Sequence, residues 1–133
     1  MTSESLAVRT SARTDLVDIT RLVAAVVRKS GIDSGMCFVY VPHTTAGVTI
    51  NENADPDVQH DFKKAMDDLV PWEAGYAHSE GNSAAHVKAS LTGFTAAIPV
   101  ERGQLLLGTW QAVYFCEFDG PRERKVIVKV VTG

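Results

Sequence analysis

Hydrophobic positions along the chain switch between a period of two and a period near 3.6, and each switch predicts a change of element. Leu6-Ala7-Val8-Arg9-Thr10 alternates and predicts a first strand at a sheet edge. From Asp18 the period becomes helical: Ile19, Leu22, Val23, Val26 and Val27 share one face, and Lys29 followed by Gly31 marks the end of a helix that covers a sheet. Met36 to Val41 is β-branched and aromatic and stops at Pro42, while Thr45 to Asn51 alternates with Ala46, Val48 and Ile50 on one side. These two runs predict a strand pair around His43. Asp55-Pro56 predicts a helix start, because aspartate caps free amides and proline at the first helical position forfeits no hydrogen bond. Val58, Phe62, Met66 and Leu69 form its apolar stripe.

A polar loop from Pro71 to Asn82 precedes a short helix, capped by Ser83 and running to about Leu91 before Gly93, with His86 in its first turn. The last third predicts antiparallel sheet: Phe94 to Val100, a turn at Glu101-Arg102-Gly103, Gln104 to Leu107, Trp110 to Phe118, a turn at Asp119-Gly120-Pro121, and Lys125 to Val131. Both faces of Gln111 to Phe118 are apolar, so this strand is expected to be covered on both sides. Glu117 then shares a face with Val113 and Phe115, as Glu52 does with Val48 and Ile50. A carboxylate on such a face needs a metal, a histidine or an arginine beside it. Two helices and a short third cannot shield all of this apolar surface, so part of it is expected to be buried between subunits.

Length and charge narrow the picture. The 133 residues fit one domain spanning 1–133, with no repeat or linker. A net charge of −3 gives no general attraction to nucleic acid or anionic membrane. The one dense basic stretch, Arg122 to Lys125, contains Glu123 and reads as a solvated turn. No apolar run has the length of a leader or a membrane span, so the expected location is cytoplasmic. Cys37 and Cys116 lie far apart inside apolar runs and read as buried free thiols.

The densest candidate chemistry is Tyr76-Ala77-His78-Ser79-Glu80-Gly81-Asn82-Ser83-Ala84-Ala85-His86, with two imidazoles, a carboxylate, an amide and a glycine ahead of a helix N-terminus. Such a set suits a metal ion or an anion, the latter because free amides and the helix dipole favour negative charge at Gly81-Asn82-Ser83. The spacing of His78 and His86 lacks the i, i+4 rigidity of a helical zinc pair. His43, at a strand end, joins the candidates; His60, on the polar side of the second helix, is excluded. Asp55 is at least half explained by capping, and Trp110 and Tyr114 read as core aromatics before they read as a ligand platform.

Four blocks taken together, His43-Thr44-Thr45-Ala46-Gly47-Val48-Thr49-Ile50-Asn51-Glu52-Asn53-Ala54-Asp55-Pro56-Asp57, the His78 to His86 island, Leu107-Gly108-Thr109-Trp110-Gln111 and Glu117-Phe118-Asp119-Gly120-Pro121-Arg122, closely resemble the YjbQ family, also called the secondary thiamine-phosphate synthase family. The resemblance covers nearly the whole chain. It implies an α+β domain with a mostly antiparallel, sandwich-like sheet core covered by two to three helices, assembled as a homotrimer. It also implies a weak thiamine-phosphate synthase activity, joining a pyrimidine diphosphate to a thiazole phosphate with loss of pyrophosphate.

The site expected on these grounds handles a small phosphorylated metabolite with a divalent metal, zinc or magnesium, held by His78 and His86 with His43 as third ligand or acid/base. Glu52 or Glu117 completes or orients the set, Asp55 is placed with them, and Arg122 clamps phosphate through its planar fork. Gly81, Asn82, Ser83, Trp110 and Gln111 are the expected cofactor-binding positions. The competing expectations are a non-catalytic trimeric module that binds a metal or an anionic metabolite, and a phosphate-ester hydrolase.

Overall fold

A computed structural model describes residues 2–133. Eight strands and three helices follow in the order β1 (Thr2–Arg9), β2 (Asp15–Asp18), α1 (Thr20–Ser30), β3 (Gly35–Tyr40), β4 (Ala46–Glu52), α2 (Pro56–Leu69), α3 (Ser83–Thr92), β5 (Thr95–Glu101), β6 (Gln104–Leu105), β7 (Gln111–Glu117) and β8 (Glu123–Thr132). They form a five-stranded sheet, β1-β8-β3-β5-β6, and a three-stranded sheet, β2-β7-β4. Every pairing is antiparallel. The α+β class expected from the sequence is the observed one.

The alternation of each strand decides which sheet face meets the core. Val39, Ile98 and Val128 from the larger sheet meet Val48, Val113 and Phe115 from the smaller one, and α1 adds Val23, Val26 and Val27 to the same cluster. Helix α1 ends at Gly31, whose φ of 69° is the left-handed turn that glycine adopts without a Cβ penalty. The other face of β7 places Ala112, Tyr114, Cys116 and Phe118 against Ala85 and Ala89 of α3, with Phe62 and Met66 of α2 at the margin. β7 is thus covered on both sides, as its composition predicts. Both cysteines are buried free thiols, and burial pushes Cys37 up to about 11 and Cys116 to about 12.

Four expectations change. β3 and β4 are not a pair: β3 lies between β8 and β5, and β4 beside β7, so Pro42 to Thr45 carries the chain from one sheet to the other. Alternation fixes which face of a strand is buried and is silent on its partner. Asp18 ends β2, a strand the helical pattern concealed, and α1 starts at Thr20. Trp110 is 62% exposed instead of core. Finally, Arg122 to Lys125 is not a solvated turn throughout, because β8 begins at Glu123 and Arg124 is buried on its inner face.

Candidate functional site

At one end of the small sheet the Pro42–Thr45 crossover, the loop before α3 and the β7–β8 turn enclose a cleft of about 450 Å³. Its walls carry His43, Thr44 and Thr45 from the crossover; His78, Glu80, Asn82 and His86 from the loop and α3; and Asp119, Arg122 and Arg124 from the turn and β8. These segments are far apart in sequence. They meet because β4 starts and β7 ends at this edge, with Ala46 opposite Glu117.

Glu117 lies beneath the cleft with 0% exposure. Its carboxylate accepts from Arg124 Nε (2.8 Å) and Arg124 Nη2, from Thr10 Oγ1 (2.9 Å) and from the Asp119 backbone N–H (3.0 Å). Burial alone would raise its pKa, but the bonds from Arg124, Asp119 and Thr10 outweigh burial and hold it below the ordinary value. The partner that the apolar face demanded is therefore Arg124. Arg122, the expected phosphate clamp, bonds Asp119, Nε to the carbonyl at 3.0 Å and Nη2 to Oδ2 at 3.1 Å.

His78 and His86 stand edge to face, with ring centroids 5.4 Å apart. The loop and first helical turn between them bring the imidazoles together, as expected. His43 is engaged differently: its Nε2 accepts the Lys125 backbone N–H at 2.9 Å, which assigns the proton of the neutral ring to Nδ1. Burial, then the positive charge of Arg124, lower its pKa and favour that neutral form. Among the described residues no three His, Cys, Asp or Glu side chains are close enough together to hold a metal ion, so a closed three-histidine set is not formed within one chain. Asn82 is the N-cap of α3 without a side-chain cap bond; its Nδ2 donates to Asp119 Oδ2 at 2.9 Å, and its buried Oδ1 has no partner among the described residues. Ser83 is the first helical residue instead of the cap, and Gly81 turns the loop with a φ of 77°.

The remaining expected residues lie elsewhere. Glu52 pairs with Gln111 at the opposite end of β4–β7, six residues from the Ala46–Glu117 pair, or about 20 Å at the rise of a β-strand. There the Glu52 carbonyl accepts from Gln59 and Tyr114, and Gln111 Oε1 accepts the Gly108 N–H at 2.8 Å. The Trp110 carbonyl accepts the Asn53 N–H at 3.1 Å, and Asp55 caps α2 through the Asp57 N–H at 2.9 Å. None of these lines the cleft. His60 sits exposed on α2 in a larger open depression of about 670 Å³, whose charges Lys64 and Asp68 bond each other at 2.7 Å.

The sequence reading missed Arg124, Asp119, Thr10 and Thr45. A signal for Arg124 exists: it shares the inner face of β8 with Val126, Val128 and Val130. Starting that strand at Lys125 hid the parity.

Residues 4–133 match the family model described as UPF0047 protein YjbQ-like. The UPF0047 protein YugU of Bacillus subtilis is 50% identical over 129 residues, 96% of this chain and 98% of that one. UPF0047 protein MJ1081 of Methanocaldococcus jannaschii is 48% identical, over 93% of this chain and 90% of that protein. The solved structure of a YjbQ/UPF0047 family protein from Clostridium acetobutylicum superimposes with a TM-score of 0.95 at 52% identity, covering 96% of this chain and 99% of that one. A protein from Sulfolobus solfataricus, described as YbjQ-like and of unknown function, gives a TM-score of 0.95 at 32% identity over 99% and 97% of the two chains. The chain belongs to the UPF0047 YjbQ-like family.

Proposed function

We propose that the cleft is an oxyanion site for small phosphorylated metabolites, completed by a divalent ion on His78 and His86, and that it supports a weak condensation of the thiamine-phosphate synthase type. The observation that carries this reading is the meeting, in one cleft, of two imidazoles 5.4 Å apart and two guanidinium groups. Charge supports the added ion. Arg122 and Arg124 face the carboxylates of Glu80 and Asp119, with Glu117 beneath, so neutral histidines leave the cleft without net positive charge. A phosphate dianion needs one more cation there.

Two imidazoles suit zinc better than magnesium. A bound ion would neutralise charge developing on a departing pyrophosphate. The chain's own groups do the rest. Arg122, exposed at the cleft, adds positive charge near the phosphate oxygens, and His43, neutral with a proton on Nδ1, can donate it to an oxygen. No protein nucleophile is needed, since the thiazole nitrogen attacks.

The assembly we propose is a homotrimer. Its support, beyond the family resemblance, is the outer face of the large sheet, where Met36, Phe38, Tyr40, Ile127 and Val131 stand together without a covering helix. Light scattering at micromolar concentration checks it, and a monomer would refute it. A cytoplasmic location is our reading of two buried reduced thiols; no helix of the described residues is long and apolar enough to cross a membrane.

The site is tested by metal analysis and turnover on one preparation. Purified protein should carry a near-stoichiometric divalent metal that His86→Ala loses while its thermal unfolding stays cooperative. Pyrophosphate release should fall with it. Metal retained in both His78→Ala and His86→Ala would sink the metal assignment. Phosphate binding with no release from diphosphate or phosphate-ester substrates would make the protein a binding module.

A further inference from the structure

The two arginines of the cleft are held in opposite ways. Arg122 lies before β8 with its side chain 49% exposed and its guanidinium bonded, among the described residues, to Asp119 alone. Arg124 is fixed within the sheet opposite Val8 of β1 and is 4% exposed. Its Nε and Nη2 edge is fully used by the Glu117 carboxylate and by Thr45, whose Oγ1 accepts from Nη2 at 2.8 Å. Thr10 and the Asp119 amide lock Glu117 in turn. Nη1, by contrast, has no partner among the described residues. It is not sealed either, so the small exposure that Arg124 retains leaves this charged donor open to a ligand oxygen. It belongs to a side chain that lines the cleft.

We infer that Arg124 is the fixed anion-binding residue of the site, its free Nη1 edge donating to a ligand oxyanion, while Glu117, Thr45 and Thr10 are positioning residues that aim it. This rests on the oxyanion reading above and deepens it. Because the salt bridge already fixes the guanidinium plane, binding costs little rotamer entropy on this wall. The second unpartnered polar atom of the cleft, Asn82 Oδ1, has the opposite polarity and accepts. The ligand class is thus an oxyanion that carries a hydrogen-bond donor beside it, such as a protonated phosphate oxygen or an amino or hydroxyl group.

The test titrates full-length protein with inorganic phosphate, following the guanidinium nitrogen signals of Arg124 and the imidazole signals of His43, His78 and His86 by NMR. Arg124 should shift along the same saturation curve as the histidines. Arg124→Lys should weaken phosphate at least tenfold, since a point charge cannot keep both the Glu117 bridge and the ligand bond, and Arg122→Lys less than threefold. Thr45→Val, which leaves the guanidinium in place, should weaken it a few-fold. If the lysine variant fails to fold, the wild-type titration decides alone. Histidine signals that saturate while Arg124 stays unmoved would overturn the inference and leave the oxyanion reading standing, as would an Arg124→Lys protein of lowered stability and unchanged phosphate affinity. No phosphate response at any of these signals would remove both.

Discussion

The two ends of the β4–β7 pair carry the same kinds of residue and use them for different work. At the Ala46–Glu117 end a carboxylate is sealed under a cleft, bridged to a buried arginine and tied to Thr10 and the Asp119 amide. At the Glu52–Gln111 end the polar groups are half-exposed or exposed and close turns: Asp55 caps α2, Gln111 holds the Gly108 amide, and Asn53 bonds the Trp110 carbonyl. Glu117 and Glu52 even share strand parity with apolar neighbours. What separates them is depth. A buried charge is stable only in a network that satisfies it, and such a network fixes geometry well enough to present a donor to a ligand; an exposed charge is satisfied by water.

The sharpest way to break this contrast is to neutralise each carboxylate. Glu117→Gln leaves the buried Arg124 charge without its counter-ion and should cost about 3–5 kcal/mol of unfolding free energy. Glu52→Gln should stay within about 0.5 kcal/mol. Equal costs in urea denaturation would erase the distinction. Between these lies Asp55→Ala, where loss of the cap should cost about 1 kcal/mol and leave phosphate affinity unchanged. A change of that affinity would bring the far end back into the site.

Acid titration probes the cleft end on its own. The folded pKa of His43 is lowered, so below the ordinary value of 6.5 the unfolded chain binds more protons than the folded one, and stability should fall as pH drops through that value toward the folded one. Glu117 is also lowered. Its contribution is fully present above the ordinary 4.5 and should be lost as pH falls from there through the folded value. His43→Gln should flatten the first step and spare the second. Stability that rises on acidification from pH 7 would contradict the first sign, and a rise below 4.5 the second.

Much of the fold was legible along the chain because it depends on local rules. The Asp55-Pro56 start of α2, the Gly31 stop of α1 and the two-sided burial of β7 all follow from a few neighbouring residues. The histidine island was legible too, since loop and helix turn bring His78 to His86 within one short segment. Trp110 and Glu52 were placed with the site because they stand inside the recognisable blocks, while the β4–β7 pair carries them to the end away from the cleft. Arg124 was hidden because one residue of strand start decides whether it faces water or core.

By itself, then, the sequence determined the elements apart from β2, the buried face of nearly every strand, the need of Glu117 for a positive partner and the family. The tertiary structure decided which positive group that is, which sheet each strand joins and which end of the small sheet holds the cleft. Alternation and capping are properties of a few consecutive residues, whereas the Glu117–Arg124 pair bridges strands of two different sheets, and the wall shared by the crossover, α3 and the β7–β8 turn joins positions distant in sequence, so both exist only once the two sheets have packed together.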